Sequence, residues 1–291
     1  MYNVLMTPRF MTRIFATPIF GSALFLLALA FSAAPSHAAI NLDSKADCAT
    51  ATSGSTGSSC TPSSGSTSAT LAWSHTIGSG GSRILIVGIS LRVDNSTPNG
   101  SDVVSSVKLG STTLTCLVAI EDNSAGSCAA GSTGSVFLRS EIWYLQNPPV
   151  GAATITVTAS SATTIVGSSA SYFGVMNISS GGTKASNNGT TGNTSASLAV
   201  TSAANNLVFG NASLAKNSGG NPVTVTSGNT NLTDTSDNAS GSSSTHVHGN
   251  ASSSVAVNPT MSWTFSATTP WAIVTAVLRP ARRKSEVILG A

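Results

Sequence analysis

Charge is what this chain has least of. Charged side chains make up 8% of it, about a third of the roughly 25% usual in soluble domains, so its surface must be built from hydroxyls and amides. Of the 13 basic side chains, Arg9 and Arg13 fall in a leader described below, which leaves 11 against 10 acidic ones in a nearly neutral body. Arg279, Arg282, Arg283 and Lys284 crowd the C-terminus. A nucleic-acid partner needs a row of cations to displace phosphate counterions, and none precedes Arg279, which excludes that class. Aromatics are also scarce, at 5%; Trp73, Trp143, Tyr144, Trp263 and Trp271 are few enough that a core claims them before a sugar-stacking platform does. Long apolar runs are missing beyond the leader. Residues 261–278 come nearest, but Pro270 divides them and Ser and Thr interrupt them, so they read as two strands rather than a membrane span. Helical periodicity is missing throughout.

What the chain does have is strand patterning, clearest in RSEIWYLQNPPVGAATITVT at residues 139–158. Glu141, Trp143 and Leu145 share one face at period two, Ile142 and Tyr144 the other, and Pro148 and Pro149 end the pairing because they cannot donate to a ladder. After Gly151, Thr154, Thr156 and Thr158 alternate with Ile155 and Val157, one side wet and the other packed. Fourteen such runs lie between Leu71 and Arg279. Many short strands without interleaved helices predict an all-β fold: an antiparallel two-sheet sandwich, jelly-roll-like, of about 12–14 short strands. ILIVGISL and WAIVTAVL are apolar on both faces and belong centrally in their sheets. Trp73 precedes the first and Trp263 the second at a loosely similar distance, a faint hint that the first and last strand pairs occupy related places.

Residues 1–38 read as a Sec-type signal, with a basic start, an apolar stretch at 19–31 and a Ser36-His37-Ala38 cleavage site, so the expected location is secreted, periplasmic or extracellular. Residues 39–70 read as a loosely ordered Ser/Thr/Gly-rich leader, 71–279 as a single β-sandwich domain and 280–291 as a short basic tail. Cys48 and Cys60 are twelve apart, as are Cys116 and Cys128. An even count in an exported chain points to disulfides, with sequential pairing favoured over the two other connectivities.

The 139–158 stretch also resembles the signature of a β-sandwich domain, often tandemly repeated in very large bacterial surface and secreted proteins, in which EIWYL is followed by NPP, a glycine and a Thr/Val strand. RILIVGISL at 83–91, VSSVKLGSTTLT at 104–115, SYFGV at 171–175 and MSWTFSATTPWAIVTAVL at 261–278 follow the same order. The resemblance implies a fold and a surface location, and carries over no catalytic or ligand residue. The four cysteines and the THVH run at Thr245 depart from it.

Candidate chemistry is thin. His246 and His248 are two apart, which on a strand puts both imidazoles on one face, with His75, Asp234 or Asp237 as the third metal ligand; the competing reading is a polar edge strand. Asp94, Asn95, Asn99 and Asp102 in VDNSTPNGSD are hard oxygen donors of the kind calcium prefers, and equally ordinary turn residues. No other cofactor is expected. Trp143, Tyr144 and Glu141 are the candidates for a glycan-binding face. A glycoside hydrolase would need two converging carboxylates among Asp94, Asp102, Glu121, Asp122 and Glu141, whereas Glu141 between Arg139 and Trp143 is better placed for an ion pair with Arg139 or Arg83, or for a rim position beside a tryptophan. No nucleophile elbow is present. The expectation is a non-catalytic structural or adhesive protein, with glycans or surface and matrix proteins as partners. A calcium-assisted glycan-binding module is the alternative, and low charge on the edge strands favours self-association.

Overall fold

The structure is a computed structural model that describes residues 38–49, 60, 68–92, 103–122, 126–128, 130–131, 138–187, 194–215, 225–236, 247–266 and 268–282. Among them there is no helix, and every strand pairing is antiparallel. Two five-stranded sheets lie face to face at the centre. One runs β1 (Asn41–Ala49), β9 (Ile165–Phe173), β3 (Ile84–Arg92), β7 (Leu138–Gln146), β6 (Thr115–Glu121). The other runs β10 (Val175–Asn187), β17 (Trp271–Pro280), β12 (Leu207–Ala215), β15 (Val247–Ser254), β14 (Thr230–Ser236). Outside the first lie β2 (Ser68–Ile77), β8 (Gly151–Thr163), β4 (Val104–Leu109) and β5 (Thr112–Thr113); outside the second lie β11 (Ser195–Ala199), β16 (Thr260–Phe265) and β13 (Val225–Ser227).

Three apolar layers separate these four sheets. β3 sends Leu85, Val87, Ile89 and Leu91 toward Trp73, Ile155 and Val157 of its outer sheet, and Ile84 and Ile86 toward Phe209, Val274 and Leu278 of the other central sheet. β12 likewise sends Val208, Ala212 and Leu214 onto Met261 and Trp263. A strand covered on both faces has no wet side, which is why ILIVGISL carries no alternation; each large apolar side chain removed from water there stabilises the fold by about 1.5–3 kcal/mol.

The all-β sandwich expected from the sequence is present, but as two stacked jelly rolls. Setting aside the short β5 and counting each half of the chain from its own first strand, both inner sheets run 1-8-3-6-5 and both outer sheets 2-7-4, the interleaved order of a jelly roll. The fifth strands carry the same bulge, between Cys116 and Val118 in β6 and between Asn231 and Thr233 in β14. The two third strands meet across the central layer, where Ser213 Oγ lies 2.7 Å from Ser90 Oγ. Equivalent residues in contact are the mark of a two-fold relation, here inside one chain.

The expected count of two sheets is thereby corrected to four, within one compact unit from His37 to Ala291. The loose leader at 39–70 is corrected too, because β1 is an integral strand of the first central sheet, paired with β9 from Asn41 to Ala49. NLDSKADCA shows no apolar alternation, since an edge strand is held mainly by its ladder; only its end, Asp47, Cys48 and Ala49, is buried.

The body has two unlike ends. At one, Ala38 N donates to Ala281 O and Ala281 N to Gly174 O, each at 2.8 Å, so the start, midpoint and end of the folded chain meet there. Gly174 has φ +78° and a Cβ on it would lie 2.3 Å from Ala39 O, so only glycine fits. The turns that join β2 to β3, β7 to β8 and β15 to β16 lie at the same end. At the opposite end Ala49, Leu138, Val166, Ala215 and Val247 form a small apolar cap.

Candidate functional site

Arg139, on β7, is fully buried. Its guanidinium pairs through Nε with Glu141 Oε1 and through Nη1 with Glu121 Oε1 at 2.8 Å, and donates to the carbonyls of Ala130 and Ser127. Those carbonyls lie in the segment after β6 that holds Cys128. Trp143 Nε1 donates to Glu141 Oε2 at 2.5 Å. Burial pushes the Glu141 carboxyl above its usual range, against the charge and hydrogen bond of Arg139 and the N–H groups of Trp143 and Val104. Of the roles the sequence offered Glu141, the structure has the ion pair with Arg139. Trp143, 6% exposed, and Glu141, at 0%, form no glycan platform, because the outer sheet covers their face of β7. Tyr144 is half-buried against the central layer.

The other half repeats this constellation with different chemistry. Ser90 faces Ser140 on β7 and Ser213 faces Gly249 on β15, so His248 occupies the place of Arg139 and Asn250 that of Glu141. His248 Nε2 hydrogen-bonds Asp234 Oδ1. The Asn250 amide donates to Asp234 and to Asn231, each at 3.2 Å, and its carbonyl accepts Trp263 Nε1 and Ser252 Oγ, each at 2.8 Å. Burial raises the Asp234 carboxyl, but the hydrogen bond and charge of His248 and the Asn250 amide outweigh it, leaving Asp234 below the ordinary value. In each half a tryptophan indole thus donates to the polar residue at the same position of the sixth strand.

Asp234, one of the third-ligand candidates, is the partner of His248, while His246 and Asp237 lie outside the described residues. His75 lies in a different sheet from Asp234 and His248, buried on β2 with Nδ1 2.9 Å from Ser169 Oγ, which also accepts Trp73 Nε1 at 3.0 Å. Burial pushes His75 down to about 4. No group of three His, Cys, Asp or Glu among the described residues is placed to hold a metal ion. Asp94, Asn95, Asn99 and Asp102 fall outside the described residues. Both cysteine pairs, Cys48–Cys60 and Cys116–Cys128, are disulfides with Cα atoms 5.4 and 5.8 Å apart, which fits an oxidising, non-cytoplasmic environment.

A groove of about 380 Å³ lies where β1 crosses β14, lined by Lys45, Asp47, Asn231, Thr233 and Asp234 among others. Burial raises the Asp47 carboxyl, Lys45 opposing and Asp234 adding to the shift. Asp47 escaped notice in the sequence because its strand reads as leader, without an alternation to place it. The two hydrogen-bonded imidazoles meet different partners, His75 a buried serine hydroxyl and His248 an aspartate. Neither serves an accessible nucleophile. Comparison with family models, with curated proteins and with solved structures finds no match.

Proposed function

We propose that this chain is a secreted or cell-surface β-sandwich protein with a non-catalytic structural or adhesive role, as its resemblance to the repeated sandwich domains of bacterial surface proteins implies. The observation that carries this reading is where its ionisable groups lie. Arg139, Glu121 and Glu141 are consumed in a buried trio, His248 is held by Asp234 and His75 by Ser169, so these side chains, among the described residues, tie strands to their neighbours and, at His75, one sheet to the next. The outward residues of β8 and β16, among them Thr154, Ser160, Thr260 and Thr264, leave a hydroxylated surface suited to weak, extended contacts with surface or matrix components. Two disulfides support an extracytoplasmic location.

The test combines localisation with loss of function. Antibody labelling of intact cells, removed by protease shaving, together with weaker attachment or matrix formation in a deletion strain, is expected. A cytoplasmic pool, or turnover of glycoside or ester substrates lost on Asp234→Asn, would sink the reading.

A further inference from the structure

The exposed large hydrophobic residues of the described body are five: Leu42, Val150, Met176, Val255 and Val257, between 44% and 70% exposed. All lie at one end. Leu42 pairs with Tyr172 beside the close of β9, Val150 sits in the β7–β8 turn, Met176 follows Gly174 at the start of β10, and Val255 and Val257 form the β15–β16 turn. This is the end at which Ala38, Gly174 and Ala281 meet. Scattered exposed apolar residues need no explanation, but their confinement to one tip does.

Two exposed arginines share this end. Arg279, next to the last residue of β17, and Arg282 are exposed at the apolar end, where the sequence continues with Arg283 and Lys284. The acid near them, Asp43, is occupied by Gly78 N and Ser171 Oγ. Asp47, Glu121 and Asp234 lie toward the far ends of their strands. We propose, on the basis of the surface role above, that this chain-end face docks peripherally on an anionic phospholipid bilayer. The valines, Met176 and Leu42 enter the headgroup boundary while Arg279 and Arg282 meet lipid phosphates, the pairing of apolar and cationic side chains that interfacial binding requires. The opposite end of the body, with its small apolar cap of Ala49, Leu138, Val166, Ala215 and Val247, then points away from the membrane.

The compact unit of residues 37–291 is to be sedimented with vesicles of phosphatidylcholine alone and of phosphatidylcholine with one third phosphatidylglycerol. Binding to the anionic vesicles is expected, weakened about thirtyfold by Arg279→Gln with Arg282→Gln, and about tenfold or more by Val255→Ser with Val257→Ser. Thermal unfolding should be unchanged in both, since these side chains are exposed. Absence of binding to anionic vesicles, or binding that both pairs leave intact, overturns the proposal; a concentration-dependent dimer without lipid binding would assign the same face to a second copy and overturn it too. Neither failure touches the localisation test, so the surface reading and the docking face stand or fall separately.

Discussion

Replacing Arg139 by Met removes the one cation from a fully buried trio, leaving Glu121 and Glu141 buried without its charge and taking one donor from each of the carbonyls of Ser127 and Ala130, which keep their mutual backbone hydrogen bonds. Breaking a buried pair from one side costs about 3–5 kcal/mol, because the surviving charge is uncompensated. In a body of this size each kcal/mol moves Tm by about 2–4 °C, so Arg139→Met should melt roughly 10 °C lower. The loss should also depend on pH. Burial already raises Glu141, and the Arg139 charge opposes it; without the guanidinium the carboxyl rises further and takes a proton more readily. A group whose folded pKa is raised contributes its stability below the unfolded value and loses it as pH rises through the folded one. The Arg139→Met deficit should therefore be largest at neutral pH and shrink toward pH 5, and Glu121→Gln with Glu141→Gln should restore part of it. Urea unfolding followed by tryptophan fluorescence, which Trp143 reports from inside the site, measures both. A deficit under about 1 kcal/mol, or one flat with pH, would refute the buried, mutually dependent trio.

Three further outcomes follow from local geometry. His75 is held neutral with its pKa near 4 against 6.5 when free, so stability present above pH 6.5 should fall by about 3 kcal/mol as pH drops toward 4; His75→Gln should flatten that slope in denaturant midpoints taken across the range, and an unchanged slope would clear His75 of it. Gly167→Ala would put a Cβ 2.4 Å from Trp73 Cη2 in a layer covered on both sides, costing about 1–3 kcal/mol of overpacking; a neutral melting temperature would show that Trp73 can move. Removing the Cys48–Cys60 bridge by paired alanines frees the segment that joins β1 to β2 and should cost about 2–3 kcal/mol, read as a lower urea midpoint, with no change if the bridge constrains nothing.

Much of the first half was legible in the sequence because its strands alternate. Trp143 against Tyr144, and Thr154, Thr156 and Thr158 against Ile155 and Val157, mark β7 and the middle of β8, which runs two residues further at its start and four at its end than the alternating stretch at 153–159, and ILIVGISL declares a central strand by lacking any wet side. What could not be read was which face of β7 was covered. Glu141 and Trp143 look like a rim from the sequence, and become core only because β2, β8, β4 and β5 lie over them. β1 was hidden for the opposite reason, since the ladder to β9 holds it rather than any apolar pattern of its own.

The internal two-fold was hidden by compensating exchange. Trp73 faces Ile155 across the β2–β8 pair, and the corresponding β11–β16 pair sets Ala196 against Trp263, so the large residue has crossed to the other strand while the pair keeps one bulky member to fill its layer. The two tryptophans that looked related in the sequence therefore stand on non-equivalent strands, and ILIVGISL and WAIVTAVL are a third and an eighth strand rather than two copies. The counterpart of ILIVGISL is LVFGNASL at the start of β12, where Ser213 still meets Ser90 and Asn211 donates to Ile89 O and Ser140 Oγ across the central layer. At the sixth strands Arg139 and Glu141 have given way to His248 and Asn250, so one half locks its edge with a buried ion trio and the other with an aspartate-bound imidazole and amides. A symmetric core thus coexists with two chemically different flanks, and the short connection through Gly174 brings Ala38 and Ala281 to one end of the body, the end that the docking proposal sets against a bilayer.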